Sequence, residues 1–81
     1  MLTIGVDPHK QTHSAVAVDE LGLQRAACTR RAQREGFGEL LAWSRSLGEH
    51  VWVIEDCRHV SGPFERFLLD HRETVVRLPP G

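Results

Sequence analysis

The stretch Leu2-Thr3-Ile4-Gly5-Val6-Asp7-Pro8-His9-Lys10 is a short apolar run that stops at a carboxylate. Its branched side chains suit a buried strand, Asp7 stands at the C-terminal end, and Pro8 is expected to stop the ladder. One acid is thus presented at a strand tip. A second run of the same shape, Val51-Trp52-Val53-Ile54, ends at Glu55. Parallel neighbouring strands lie about 4.8 Å apart, so if these two are neighbours their terminal carboxylates converge on one point, as shared ligation of a metal ion requires.

The rest of the chain tests whether these strands can be neighbours. Thr12 to Asp19 alternates small or branched residues with weakly polar ones and predicts a second strand, and Leu21-Gly22 supplies a turn residue free to take positive φ. A third strand, roughly Leu23 to Thr29, completes a meander, with Arg25, Arg30 and Arg31 discouraging edge pairing. From Glu35 the period changes. Phe37, Leu40, Leu41, Ser44 and Leu47 recur at helical intervals while Glu39 and Arg45 face away, so Glu35 to Leu47 predicts an amphipathic helix closed by Gly48.

After Glu55, Ser61 is placed to cap a second helix with Pro63 in its first turn, and Val60, Phe64, Phe67, Leu68 and His71 recur on one face. Thr74-Val75-Val76-Arg77-Leu78 reads as a fifth strand before Pro79-Pro80-Gly81. Tight turns make the first three strands an antiparallel meander, whereas a helix before each later strand marks a parallel crossover. The expectation is an α/β fold with a mixed five-stranded sheet in the order 3-2-1-4-5. This is the ribonuclease H-like arrangement, formed by residues 1–81 as one domain, and it sets Asp7 and Glu55 side by side.

Composition narrows the partners less than the motifs do. Ten Lys and Arg against eleven acids give a net charge of −1, so contact with phosphates has to come from a local patch rather than the overall field. Cys28 and Cys57 lack C-x-x-C spacing and are read as reduced, mostly buried thiols. No apolar run is long enough to span a membrane and the start enters a strand directly, without a signal-peptide pattern, so the expected location is the cytoplasm. Trp43 and Trp52 are expected to fill the space between helix and sheet, leaving no base-stacking platform.

Two carboxylates at adjacent strand tips repel unless a cation lies between them, so the pair is either a metal site or a pair with a raised pKa. The residues alone leave another account open, with Asp7 as a turn residue before Pro8 and Glu55 as a helix-cap acid near Arg58. Asp56 points the other way if the strand continues, and a surface role is expected for it. Lys10 is placed to balance a phosphate near the metal. Arg25, Arg30, Arg31 and Arg34 form a basic cluster near the edge strand and helix start, suited to a nucleic-acid backbone or to a solvated edge. None of His9, His13, His50, His59 and His71 has the spacing of a helical metal motif, because Pro8 and the turn argue against a helix across His9-x-x-x-His13.

Taken in order, these residues carry a family resemblance. Ile4-Gly5-Val6-Asp7-Pro8-His9-Lys10, followed by His13-Ser14-Ala15-Val16-Ala17 and Asp19-Glu20-x-Gly22, resembles the opening of the DEDD-type insertion-sequence transposases, whose N-terminal domain is similar to the RuvC Holliday-junction nucleases. The resemblance continues through Gly36-Phe37-x-x-Leu40-Leu41-x-Trp43 and Val53-Ile54-Glu55 to Val75-Val76-x-x-Pro79-Pro80, and spans essentially the whole chain. It implies a metal-dependent nuclease and strand-transfer site of four acids acting in DNA transposition, of which Asp7 and Glu55 match the first Asp and the Glu.

The remaining two, both Asp, lie further along in family members, so the chain is expected to be an N-terminal catalytic subdomain that is inactive alone and completed by the rest of the transposase. Two Mg2+ ions, or Mn2+ in their place, are the implied cofactors. DNA and a guide RNA are the implied partners, with a homo-oligomer as the full-length state; Lys10, Arg30, Arg31 and Arg34 are candidate nucleic-acid contacts by location alone. The family's small-residue and Thr-Gly sequence after the Glu is replaced here by Asp56-Cys57-Arg58-His59. The alternative is a non-catalytic piece of the same fold that binds nucleic acid or a sister subunit. An ATPase of the actin and hexokinase type calls for a Gly- and Thr-rich loop after the first Asp, which Pro8-His9-Lys10-Gln11 does not provide.

Overall fold

The computed structural model describes residues 1–55 and 58–79. The chain runs β1 (Leu2–Pro8), β2 (Thr12–Val18), β3 (Gln24–Arg31), α1 (Arg34–Ser46), β4 (His50–Glu55), α2 (Arg58–Asp70) and β5 (Val75–Leu78). The five strands form one sheet in the order β3-β2-β1-β4-β5. Pairing of β1 with β2 and of β2 with β3 is antiparallel, whereas β4 runs parallel to both β1 and β5. This is the mixed α/β sheet expected of the ribonuclease H-like topology.

Period-two alternation sorts the strand side chains into two layers. Ile4 and Val6, Ala15 and Ala17, Cys28, Trp52 and Ile54 turn to one side, where they form a single buried cluster with Phe37, Leu40 and Leu41 of α1 and Phe64 and Leu68 of α2. Both helices therefore cover the same face. Trp52, Phe64, Ile4, Leu40, Ile54 and Leu68 are fully buried, each contributing about 1.5–3 kcal/mol relative to exposure. The Trp52 indole meets the Phe64 ring edge-on at 5.4 Å, and Trp43 packs half-buried against the same core.

Most expected features appear, with local corrections. Gly22 and Gly48 take φ of 83° and 93°, the left-handed region that suits glycine after a strand and after a helix. Pro8 does not stop the ladder with β2, since it pairs with His13. His9 N–H donates to the Thr12 carbonyl at 2.9 Å, so odd-numbered residues of β1 direct their backbone groups toward β2 and even-numbered ones toward β4. The N–H that Pro8 lacks belongs to the β4 side, where pairing has already ended at Val6 and Ile54. β3 runs to Arg31, two residues beyond expectation, because Arg30 and Arg31 pair with His13 and Thr12.

α2 begins at Arg58, so Pro63 lies inside the helix and Ser61, 1% exposed, is an interior core residue instead of the cap. Cys28 is a buried free thiol as expected, while the expectations for Asp56 and Cys57 fall outside the described residues.

The end of the sheet where β4 begins is tied by one half-buried acid, Glu73. Glu73 accepts hydrogen bonds from His50 Nε2 at 2.6 Å, Trp52 Nε1 at 2.9 Å and Arg45 Nε at 3.2 Å. Burial pushes its pKa up, but the hydrogen bonds from Trp52, His50 and Arg45 outweigh that and hold the carboxyl below its usual range. The acid thereby joins the C-terminal turn of α1 to the start of β4 and to the segment before β5.

Candidate functional site

The face of the sheet opposite the helices carries the acids. Val6 and Ile54 are the last register partners of β1 and β4, so Asp7 and Glu55, the next residue on each strand, stand side by side where both strands end. Their side chains alternate away from buried Val6 and Ile54, onto the open face. On either side the row continues in register, Asp7 opposite Ser14, Ser14 opposite Thr29, and Glu55 opposite Leu78. The Ser14 and Thr29 hydroxyls are hydrogen-bonded at 2.9 Å. A polar band of Thr29, Ser14, Asp7 and Glu55 thus crosses four strands.

One row back along the strands stand Ala27, Val16, Gly5, Val53 and Val76. Gly5, without a side chain, leaves the floor in front of Asp7 low. Asp7, Glu55, Ser14, Gly5, Val16 and Val53 all border one concavity of about 510 Å³, open to solvent. His9 reaches back from the β1–β2 turn and its Nε2 lies 3.2 Å from Asp7 Oδ2. A carboxylate only accepts, so Nε2 carries the proton and holds the Asp7 carboxylate by one oxygen. Ser14 was within reach of the sequence, since alternation along β2 sets it on the same face as Asp7. The His9 contact was not, because it depends on a turn conformation.

The donors at this site are carboxylate oxygens on an open surface with room for water. Mg2+ is commonly held by one or two carboxylates while it keeps several waters, so Asp7 and Glu55 fit such an ion as a partial ligand set. Among the described residues, no group of three or more His, Cys, Asp or Glu side chains is placed to hold a metal ion.

The fold divides the predicted basic cluster. Arg25 lies 3.5 Å from Asp19, at the opposite end of the sheet from Asp7. Arg30 pairs with Glu39 at 3.2 Å and donates to the Thr29 carbonyl at 2.8 Å. Arg34 borders a groove between the helices with Arg66 and Asp70. Arg31 borders two concavities, one shared with Lys10 and the other with Arg30, Glu35 and Glu39. His13, in the same motif as Ser14, points the other way. It is 1% exposed, stacks on Phe37 at 5.8 Å, and receives no hydrogen bond at Nε2. Burial pushes its pKa down, against the opposing effect of the Nδ1 hydrogen bond to the Thr12 carbonyl, so it is a neutral core residue at neutral pH.

Neither models of known protein families nor curated proteins give a match to this sequence. Among the described residues, no helix is long and apolar enough to cross a membrane.

Proposed function

We propose that the chain is the N-terminal, RuvC-like catalytic subdomain of a DEDD-type insertion-sequence transposase, in which Asp7 and Glu55 supply two of four acidic ligands for DNA cleavage and strand transfer. The observation that carries this reading is the register: two acids from distant parts of the sequence end adjacent parallel strands on one open face. The ordered motif resemblance supplies the reaction class, and neither support depends on the other.

Mg2+ bound there would supply Lewis-acid stabilisation of a phosphodiester and a nucleophile activated at neutral pH. The chain's own part is positional. The β1–β4 ladder fixes the spacing of the two carboxylates, and the His9 N–H occupies one Asp7 oxygen and limits rotation of the carboxylate. Gly5 keeps the approach clear for a strand of DNA. Lys10, Arg30, Arg31 and Arg34 lie near the same end of the sheet and suit a polyanion. Cytoplasmic location, a guide RNA and a homo-oligomeric full-length state belong to the same proposal.

One observation favours the alternative of a subunit-interaction module. Val76 and Leu78, 44% and 47% exposed, extend the uncovered face beyond the acids and offer apolar surface.

The test is strand cleavage by the polypeptide read through its full coding frame. It is expected to carry two further aspartates beyond Gly81 and to nick DNA with Mg2+. Asp7→Asn or Glu55→Gln is expected to lower the rate by about 10³-fold or more at unchanged DNA affinity. A frame without those aspartates, or nicking that survives both substitutions, refutes the reading.

A further inference from the structure

Beside the acids, at the same end of the sheet, the β1–β2 turn and the β3–α1 corner enclose a second concavity of about 480 Å³, lined by Lys10, Gln11, Thr12, Arg31, Ala32 and Gln33. Its walls are joined. Ala32 N–H donates to the Gln11 carbonyl at 2.8 Å, and Thr12 pairs with Arg31 in the β2–β3 ladder. The Arg31 backbone is held further by α1, whose Gly36 approaches so closely that a Cβ there would stand 1.9 Å from the Arg31 oxygen.

The lining is cationic and rich in donors: an ammonium, a guanidinium, two side-chain amides and a hydroxyl, with no acid among them. Arg30 and Arg25 have their charges taken up by Glu39 and Asp19. Among the described residues no ion pair engages Lys10 or Arg31. Two uncompensated cations on one preset wall are the arrangement that a phosphate oxyanion satisfies, Arg by its planar fork and Lys as a point charge.

We propose that this concavity is a phosphodiester subsite, in which Lys10 and Arg31 hold a backbone phosphate of the same DNA strand whose reacting bond lies over Asp7 and Glu55. The assignment rests on the nuclease reading for the position of that bond. β1 and β3 are two strand spacings apart, about 10 Å, so the subsite lies a few nucleotides along the strand from the acids. It divides the four candidate cations by place: Lys10 and Arg31 position the DNA, Arg30 pairs with Glu39 of α1, and Arg34 borders the groove between the helices.

The probe is a fluorescein-labelled single-stranded DNA oligonucleotide, titrated with the whole chain by anisotropy over a range of KCl concentrations, in EDTA so that no metal contributes. For single strands the slope of log K against log salt is about −0.7 per phosphate contact, so Lys10→Gln and Arg31→Gln are each expected to flatten it by about 0.7 and the double variant by about 1.4. Lys10→Arg and Arg31→Lys should retain the slope, and Arg25→Gln, whose charge is engaged by Asp19, should leave it unchanged. Thermal melts of each variant check the fold.

Equal slopes in wild type and the double variant, the same flattening by Arg25→Gln, or no binding by wild type overturn the proposal. Displacement of the oligonucleotide by inorganic phosphate at equal phosphate concentration also overturns it, since the site would then take small anions. Because the slope is read without metal, a flattened slope with no Mg2+-dependent nicking by the full-frame polypeptide leaves the subsite standing and removes the nuclease. Nicking with an unchanged slope does the reverse.

Discussion

Gly36→Ala probes the closest approach in the fold. The added Cβ would stand 1.9 Å from the Arg31 carbonyl oxygen and 2.9 Å from its carbon, and contacts under 3.0 Å are essentially never made by real Cβ atoms. Both sides of the contact are backbone, so no side chain can swing away, and α1 must retreat from β3 by about 1.1 Å, the gap between 1.9 and 3.0 Å. A radial gap of about 0.5–1 Å already forfeits a quarter to a half of a contact's dispersion energy, and buried Phe37 and Leu40 move with the helix.

Overpacking of this kind costs about 3 kcal/mol at the upper end of its usual range. Replacing Gly by Ala in a helix returns about 1 kcal/mol. The net expectation is a loss of about 2 kcal/mol, equivalent to about 10 °C in Tm for a domain this size. Gly38→Ala, two residues on with nothing within 4 Å, has the propensity gain and no clash, so it should raise stability by up to about 1 kcal/mol. Urea and thermal unfolding followed by far-UV circular dichroism measure both. If Gly36→Ala is as stable as Gly38→Ala, α1 does not lie against Arg31 as described, and the preset wall of the proposed subsite goes with it.

Other consequences follow from the buried polar groups. Glu73→Ala leaves the Trp52 and His50 donors without their acceptor in a part-buried setting, and should cost about 2 kcal/mol in urea unfolding at neutral pH; a loss below about 1 kcal/mol would show that the clasp is not formed. The Glu73 carboxyl is held below its ordinary value, so its contribution is present above about pH 4.5 and is lost as pH falls through the folded value. Acid titration of Tm should therefore be less steep in Glu73→Gln below that pH. His13 behaves oppositely to a partnered histidine. Its folded pKa is depressed, so stability is complete above its ordinary value of about 6.5 and falls as pH drops below it, because the unfolded chain takes up the proton first. His13→Leu should flatten that slope below about pH 6.5, and an unchanged slope would place the dependence elsewhere.

The parts of the fold that the sequence revealed were those governed by local period. Alternation along β2 and the three-and-four spacing from Phe37 to Ser44 each specify a face, and with the helices placed between later strands they fix the order 3-2-1-4-5 and hence the neighbourhood of Asp7 and Glu55. Features that depend on long-range pairing were less visible. Ser61 and Pro63 carry the composition of a helix start, yet Ser61 is needed in the core, and the helix begins three residues earlier. β3 looks finished at Thr29 because nothing local shows that Arg30 and Arg31 have partners on β2. The basic cluster reads as one patch in sequence, and only the acids Asp19 and Glu39, brought in by the turn and by α1, separate its members. The Glu73 clasp draws on three elements and leaves no trace in spacing.

The most direct measurement of the central claim is paramagnetic broadening by Mn2+ in an amide NMR spectrum of the chain. Asp7 and Glu55 are expected to broaden together at the lowest Mn2+ concentrations, with Ser14 beside them, and Asp7→Asn is expected to weaken the broadening at Glu55 as well as at its own position. Broadening that stays at one acid, that persists at Glu55 in Asp7→Asn, or that gathers first at His50 and His71 would mean that the two strand ends do not share a cation.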